Sequence, residues 1–226
     1  MEATADFAIV IPAYNAAASL PGLLQELLTF YPGAKVVVVN DGSTDSTQTV
    51  LKNFATVFAI HHDDNRGKGA ALQSGMQFVK KHLRASAVVF MDADGQHLPE
   101  DIAGILQPLN RGEADLIIGK REFKPGKMPI PRIFSNKLTS YLLSLKLNRK
   151  ISDSQSGFRV VAMELLKSLN GFKTSGYEFE TEFLIRLVKA GARIQEVPIA
   201  TIYKNETSHI KPLRDITRFL KVYFTT

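Results

Sequence analysis

Two aspartates one residue apart, Asp92 and Asp94, close the apolar run Ala87-Val88-Val89-Phe90-Met91 and precede a helix expected near Pro99. In an open α/β sheet, ligands gather beyond the carboxyl ends of the strands. Two carboxylates at such an end, with Gln96 beside them, can approach one hard cation. Mg2+ takes a few carboxylates and fills its other positions with water and phosphate oxygens. An Asp-x-Asp is also a common loop start with helix-capping value, and its position behind a buried strand is what favours a metal. Asn40-Asp41-Gly42-Ser43 follows a second apolar run. Asp41 can accept from a ribose hydroxyl or a base N–H, although turn chemistry alone would place Asp and Gly there. Pro12-Ala13-Tyr14-Asn15 follows the first run, where a turn is again the simple reading. Parallel strand ends share one edge, so Tyr14, Asp41 and Asp92 are expected close together.

Asn65-Arg66-Gly67-Lys68-Gly69 follows a third run and opens a helix. Its glycines let the backbone approach a ligand, and a helix N-terminus favours anions. Leu72 stands where a dinucleotide fingerprint needs its third glycine, and the motif follows the wrong strand, so no nicotinamide site is expected. Gly119-Lys120-Arg121 can meet phosphate or sugar, or be a solvated basic loop. His97 lies close enough to the acidic turn to touch metal or phosphate. His61 and His62 face opposite sides of a strand, which suits a loop-end role better than a metal cluster. Asn205-Glu206-Thr207 is a glycosylation sequon by letters only.

These groups need a scaffold, and the sequence supplies one. Phe7–Ile11, Val36–Val39, Val57–Ile60, Ala87–Met91 and Leu116–Ile118 are short apolar runs of the kind that fill parallel sheets covered on both faces. Between them lie helical periodicities: Leu20, Leu23, Leu24, Leu27 and Leu28 after Ser19; Val50, Leu51 and Phe54 after Ser43–Ser46; Ala70 to Leu83; and Ile102, Ile105, Leu106 and Leu109 after Pro99. The alternation predicts a doubly wound sheet. In the second half, Gly157–Val161 and Arg193–Tyr203 read as strands. Helices are expected through Leu138, Leu142, Leu143 and Leu145, over Tyr177–Ala190 with Gly191 as its stop, and from Pro212 onward. With no linker or repeat, the chain reads as one domain, a nucleotide-binding half of about 7–121 and an acceptor-side half of about 122–226.

The 226 residues suffice for one α/β domain, and Lys+Arg 28 against Asp+Glu 22 gives +6, which suits an anionic partner. With no cysteine, disulfides, thiolate metal sites and a cysteine nucleophile are excluded, and a reducing cytosol is expected. No apolar run is long enough for a membrane span. The acidic start suggests no cleaved leader.

The segments Ile9–Asn15, Val39–Asp45, Asn65–Gly69, Met91–Gln96 and Ser154–Arg159 occur in that order. With them the chain resembles a family-2 glycosyltransferase, most similar to the dolichyl- and polyprenyl-phosphate mannosyl/glucosyltransferase branch, over nearly its whole length. The resemblance implies an α/β fold, a GT-A Rossmann-like sandwich. It would have a central, mostly parallel sheet, helices on both faces and a small acceptor-side region. It implies an inverting enzyme that takes a sugar from a nucleoside diphosphate, with Mg2+ or Mn2+ stabilising the leaving group. Carried onto this sequence, Asp94 is the metal ligand, with Asp92 and Gln96 beside it. Pro12, Ala13, Tyr14, Val39, Asp41, Lys68, Ala93 and Arg121 fall at nucleotide-sugar positions. Ala16, where the branch often has an acid, and Asn40, where an aspartate is usual, leave GDP and UDP both open. Lys204, His209 and Lys211 are the nearest cations to the branch's C-terminal diphosphate grip.

Arg132 and Ser135 match positions that hold a lipid phosphate in the branch. A phosphate monoester is already ionised at neutral pH and needs no base. A sugar hydroxyl acceptor would need one, and Asp153, oriented by Gln155, is the candidate, a polar turn being the equal alternative. The basic stretch from Lys120 to Lys150, opposed only by Glu122, favours the phosphate. In the C-terminal helix Ile216, Phe219, Leu220 and Tyr223 share a face flanked by Arg214, Arg218 and Lys221. That pattern suits an anionic membrane surface, or core packing with a basic rim, the favoured of the two. The expected location is cytoplasmic, with peripheral contact at the membrane. No nucleic-acid partner is expected, and no motif speaks to an oligomeric state. A sugar nucleotidyltransferase would need a Gly-rich, Arg- and Lys-bearing phosphate loop after the first strand, which Pro12–Ala16 lacks. A non-catalytic nucleotide-binding regulatory module would have little use for an intact Asp92-Ala93-Asp94.

Overall fold

The apolar runs and helical periodicities become one sheet and its covering helices in a computed structural model that describes residues 6–122, 130–200, 202 and 212–226. In chain order the elements are β1 (Phe7–Ala13), α1 (Leu20–Phe30), β2 (Lys35–Asp41), α2 (Thr47–Lys52), β3 (Phe58–His62), α3 (Lys68–His82), β4 (Ala87–Phe90), α4 (Asp101–Asn110) and β5 (Leu116–Lys120). They continue with α5 (Ile130–Leu147), β6 (Arg159–Ala162), α6 (Met163–Ser168), α7 (Phe179–Lys189), β7 (Ile194–Pro198) and α8 (Pro212–Thr225). The strand order is β3-β2-β1-β4-β6-β5-β7. All neighbours are parallel except β6, which runs antiparallel to both β4 and β5. The fourth and fifth apolar runs are therefore not adjacent.

Alternation along the strands divides the core between the two faces of the sheet. Ala8, Val10, Val37 and Val39 pack with residues of α3 and α7, whereas Ile9, Ile11, Val36 and Val38 pack with those of α1 and α4. The central strands read as unbroken apolar runs because both faces are covered.

Several expectations shift. The third run is an edge strand that extends through both histidines, and Phe58 and Ala59 are exposed rather than covered. Helix α2 has one turn and a half, and Phe54 packs from beyond its end. Ser19 precedes α1 without capping it, because its hydroxyl donates to the Ala93 carbonyl at 2.7 Å. The strand expected over Gly157–Val161 begins only at Arg159, and that expected over Arg193–Tyr203 ends at Pro198. Helix α6 was not legible. In α8, Phe219 and Val222 are buried, whereas Ile216 and Leu220, expected on the same face as Phe219, are exposed.

Helix α3 lies close on the sheet at Gly75, where a Cβ would sit 2.4 Å from Val10 Cγ1 and 3.3 Å from Val39 Cγ2. A Gly→Ala change inside a helix gains about 1 kcal/mol in propensity, while overpacking a stiff core costs about 1–3 kcal/mol. Gly75→Ala is therefore expected to destabilise by about 1 kcal/mol. A urea midpoint equal to or above wild type would show that the helix can lift from β1.

Candidate active site

The ends of β1, β2 and β4 lie side by side, with Pro12 opposite Val39, Ala13 opposite Asn40 and Val10 opposite Phe90. The turn after β1 is laced to the turn after β2. Asn15 accepts at Oδ1 from the Thr44 N–H at 2.8 Å and donates its own N–H to Ser43 Oγ at 2.9 Å. Tyr14 is exposed on this rim, whereas the Val39 side chain is in the core, so only its backbone can face a ligand. Ala13 and Ala93 are also buried.

Asp41 is 3% exposed. It accepts the N–H groups of Arg66 at 3.0 Å and Gly67 at 2.8 Å, and His62 Nδ1 at 2.6 Å. A carboxylate only accepts, so Nδ1 carries the proton and Nε2 faces the Ser74 hydroxyl at 2.9 Å. Asp41 thus shapes the Arg66–Gly67 turn. The loop-end role expected for the adjacent histidines is seen in His62.

That turn delivers Lys68 to the acidic corner. Its ammonium is 2.7 Å from Asp92 Oδ1 and 3.3 Å from Glu180 Oε1 of α7. Burial opposes the Lys68 charge, but Asp92 and Glu180 outweigh it and raise its pKa above the usual lysine range. Burial likewise pushes Asp92 up, but Lys68, His97 and Arg121 together reverse this, so Asp92 is held below the usual carboxylate range. Behind Asp92 stands Gly157, where a Cβ would fall 2.5 Å from Oδ2. A side chain there would have to push this carboxylate aside. Asp94 is half-buried and accepts the Gln96 N–H at 2.9 Å. The Gln96 carbonyl in turn accepts the Ile202 N–H at 3.0 Å. Lys204, His209 and Lys211 lie outside the described residues.

Among the described residues no three His, Cys, Asp or Glu side chains are grouped to hold a metal by themselves. The two carboxylates of Asp92 and Asp94 nevertheless suit Mg2+ or Mn2+, which accept a few protein oxygens and take the rest from water and phosphate. Lys68 already shows that a cation is favoured against Asp92.

Arg121 and Asp153 form a buried bidentate pair, with Nε and Nη2 each 2.8 Å from a carboxylate oxygen and the Arg121 N–H at 3.1 Å. Asp153 is 0% exposed. Its expected role as general base does not match this setting, since both oxygens serve Arg121. Arg121, 7% exposed, is likewise turned to Asp153. Gln155 is half-buried in the same loop, and Arg132 and Ser135, half-buried and exposed, begin α5. Glu180 and Arg159 were missed by the sequence reading. Arg159, fully buried, donates to the carbonyls of Ser154, Ser156 and Glu180 at 2.7, 2.8 and 3.1 Å, joining the loop before β6 to α7. The available signal was charge within otherwise apolar patterns, Arg159 beside Phe158 and Val160, and Glu180 beside Phe179.

His97 is 4% exposed, stacks on Phe158 at 5.1 Å between centroids, and has no hydrogen-bond partner at Nδ1. Burial drives its pKa down to about 4, although Asp92 opposes the shift. The folded value lies below the unfolded one, so neutral His97 contributes stability above pH 6.5 that is lost as pH falls toward 4. The full loss is ~3 kcal/mol. Urea unfolding at pH 7 and pH 5 is expected to show a smaller acid loss in His97→Phe than in wild type; equal losses would exclude the assignment.

The family model for glycosyl transferase family 2 matches residues 8–169. The UDP-N-acetylglucosamine–dolichyl-phosphate N-acetylglucosaminyltransferase of Methanococcus voltae is 33% identical over 86% of this chain and 85% of its own length. The undecaprenyl-phosphate mannosyltransferase of Micrococcus luteus is 31% identical over 85% of this chain and 82% of its own. In fold, the chain is similar to glucosyl-3-phosphoglycerate synthase from Mycobacterium tuberculosis, solved with Mn2+, uridine diphosphate and phosphoglyceric acid. The TM-score is 0.74 at 20% identity, over 97% of this chain and 76% of that one. The sheet is thus that of a GT-A fold, and the chain belongs to glycosyl transferase family 2.

Proposed function

We propose that this glycosyltransferase moves a hexosyl group, with inversion, from a GDP- or UDP-sugar to a polyprenyl phosphate at a membrane surface. The observation that carries the acceptor class is the buried Arg121–Asp153 pair. The carboxylate best placed by sequence to act as a base is tied up, so an acceptor that brings its own negative oxygen fits the site better than a hydroxyl. Relatives named for dolichyl- and undecaprenyl-phosphate transfer support the same class.

In the reaction an ionised phosphate oxygen attacks the anomeric carbon, the bond from that carbon to the diphosphate oxygen breaks, and the nucleoside diphosphate departs with the electron pair. No proton has to move. Arg132 and Ser135 at the start of α5 would hold the acceptor phosphate, which makes positioning the main contribution there. Tyr14, the backbone of Pro12, Ala13 and Val39, and Ala93 would border the nucleotide. Lys68 would reach the diphosphate from the mouth of α3, and Lys204, His209 and Lys211 are proposed for its other side. Asp92, Asp94 and Gln96 would hold Mg2+ or Mn2+, which when bound supplies Lewis-acid stabilisation of the leaving group.

Incubation with radiolabelled GDP- and UDP-sugars and a polyprenyl phosphate tests the reading directly. Transfer only to sugar hydroxyls would overturn it. Asp94→Ala is expected to lower kcat by about 10²–10³, the scale for losing one charge-stabilising group; turnover near wild type would remove Asp94 from the metal set. Arg132→Ala is expected to raise KM for the lipid phosphate by about tenfold, one charge-assisted hydrogen bond, with donor binding by calorimetry unchanged. Equal loss on both sides would take Arg132 off the acceptor.

A further inference from the structure

Lys68 already fills a cation's place at the acidic turn. Its ammonium lies 2.7 Å from Asp92 Oδ1 and 3.3 Å from Glu180 Oε1, and the side chains of Lys68, Asp92 and Glu180 are largely buried, at 17%, 25% and 14% exposure. The backbones beneath them are fixed by contacts that do not involve these charges. The Arg66 and Gly67 N–H groups end on Asp41, and the Ala70 N–H donates to the Ser175 carbonyl at 2.9 Å. Gly69 lies so close to α7 that a Cβ there would meet Phe179 Cβ at 2.3 Å. The Glu180 carbonyl accepts from Arg159 at 3.1 Å. Gly157 stands against the far side of the Asp92 carboxylate. What can move is the four-carbon stem of Lys68, a flexible side chain that carries a compact charge.

One cation is thus shared by two carboxylates of different standing. Asp92 belongs to the acidic turn after β4, with Asp94 two residues on, whereas Glu180 comes from α7, outside that turn. A second cation at Asp92 would share the carboxylate with an ammonium already in hydrogen-bond contact, and like charges so placed repel. Glu180 offers the ammonium another carboxylate when it leaves Asp92, which a largely buried charge requires. We infer that Lys68 is a tethered cation that keeps Asp92 from a divalent ion arriving alone, and that Glu180 is the positioning residue onto which Lys68 shifts when ion and donor enter together. The inference deepens the proposed function and rests on it for the identity of the donor and the metal. The competition between Lys68 and a divalent ion at Asp92 does not depend on the acceptor.

The test reads Mn2+ binding to the whole chain by electron paramagnetic resonance, first without nucleotide and then with GDP or UDP. Lys68→Met is expected to bind Mn2+ alone about tenfold more tightly than wild type, the scale on which one neighbouring charge alters cation binding to a carboxylate. Lys68→Arg keeps the charge and should bind Mn2+ alone as weakly as wild type. Glu180→Gln should act in the opposite direction to Lys68→Met and weaken Mn2+ binding several-fold, because Lys68 is then left to Asp92. Combined with Lys68→Met, Glu180→Gln should change Mn2+ binding by less than about twofold, since Glu180 acts through Lys68 and the two effects are not additive. Circular dichroism checks the fold of each variant, and Lys68→Gln takes the place of Lys68→Met if the latter does not fold. Equal Mn2+ affinity in wild type and Lys68→Met, Lys68→Arg behaving as Lys68→Met, tighter binding in Glu180→Gln, or a Glu180→Gln effect undiminished in the double variant would each overturn the inference. Failure of wild type to bind GDP or UDP would count against the proposed function, while the nucleotide-free Mn2+ comparison would still decide the role of Lys68.

Discussion

Charges buried at the carboxyl edge of the sheet must be paired, and that requirement organises the loops around them. A buried ion is tolerated only when its partner and its remaining hydrogen bonds are supplied. Lys68 meets the requirement with Asp92 and Glu180, Arg121 with Asp153, and Arg159 with three carbonyls and the surrounding carboxylates. Each pairing joins segments far apart in sequence: the mouth of α3 to the end of β4 and to α7, the end of β5 to the loop before β6, and that loop to α7. The site is held together by the same electrostatics that it would turn on a ligand.

The antiparallel β6 makes this arrangement possible. Placed between β4 and β5, it carries the Asp153–Gly157 loop to the edge where the parallel strands end, and Gly157 comes to rest against Asp92. A fully parallel sheet would have put β5 beside β4 and sent that loop elsewhere. The fold therefore brings the loop before β6 to the carboxylate after β4 by a change of strand direction.

Strand and helix periods made the first half of the chain legible. Asp92 and Asp94 were placed at the sheet edge by the buried run that precedes them. What pairs with what was not legible. Asp41 read as a ligand for a nucleotide, but its oxygens are taken by His62 and the Arg66–Gly67 turn, contacts that span more than twenty residues. Asp153 read as a base or a polar turn, and neither reading showed its buried pairing with Arg121. Strand order was also out of reach, since nothing local in Leu116–Ile118 says that β6 will come between it and β4. The apolar face of α8 was read as one surface, yet it divides between the core and solvent.

The proposed reaction sets a charge requirement at the corner. Among the described residues there, Lys68, Arg121 and Arg159 stand against Asp92, Asp94, Asp153 and Glu180, and His97 is neutral at physiological pH with its pKa near 4. A nucleoside diphosphate would meet both signs of charge there. A divalent cation alone would crowd Lys68, whose ammonium is 2.7 Å from the same carboxylate oxygen. Under the proposed function, cation and diphosphate would compensate each other. Lys68, if it left Asp92, would still have Glu180, now at 3.3 Å, on one side and the diphosphate on the other. Glu180 would thus let Lys68 turn from Asp92 to the donor without leaving a largely buried ammonium unpaired.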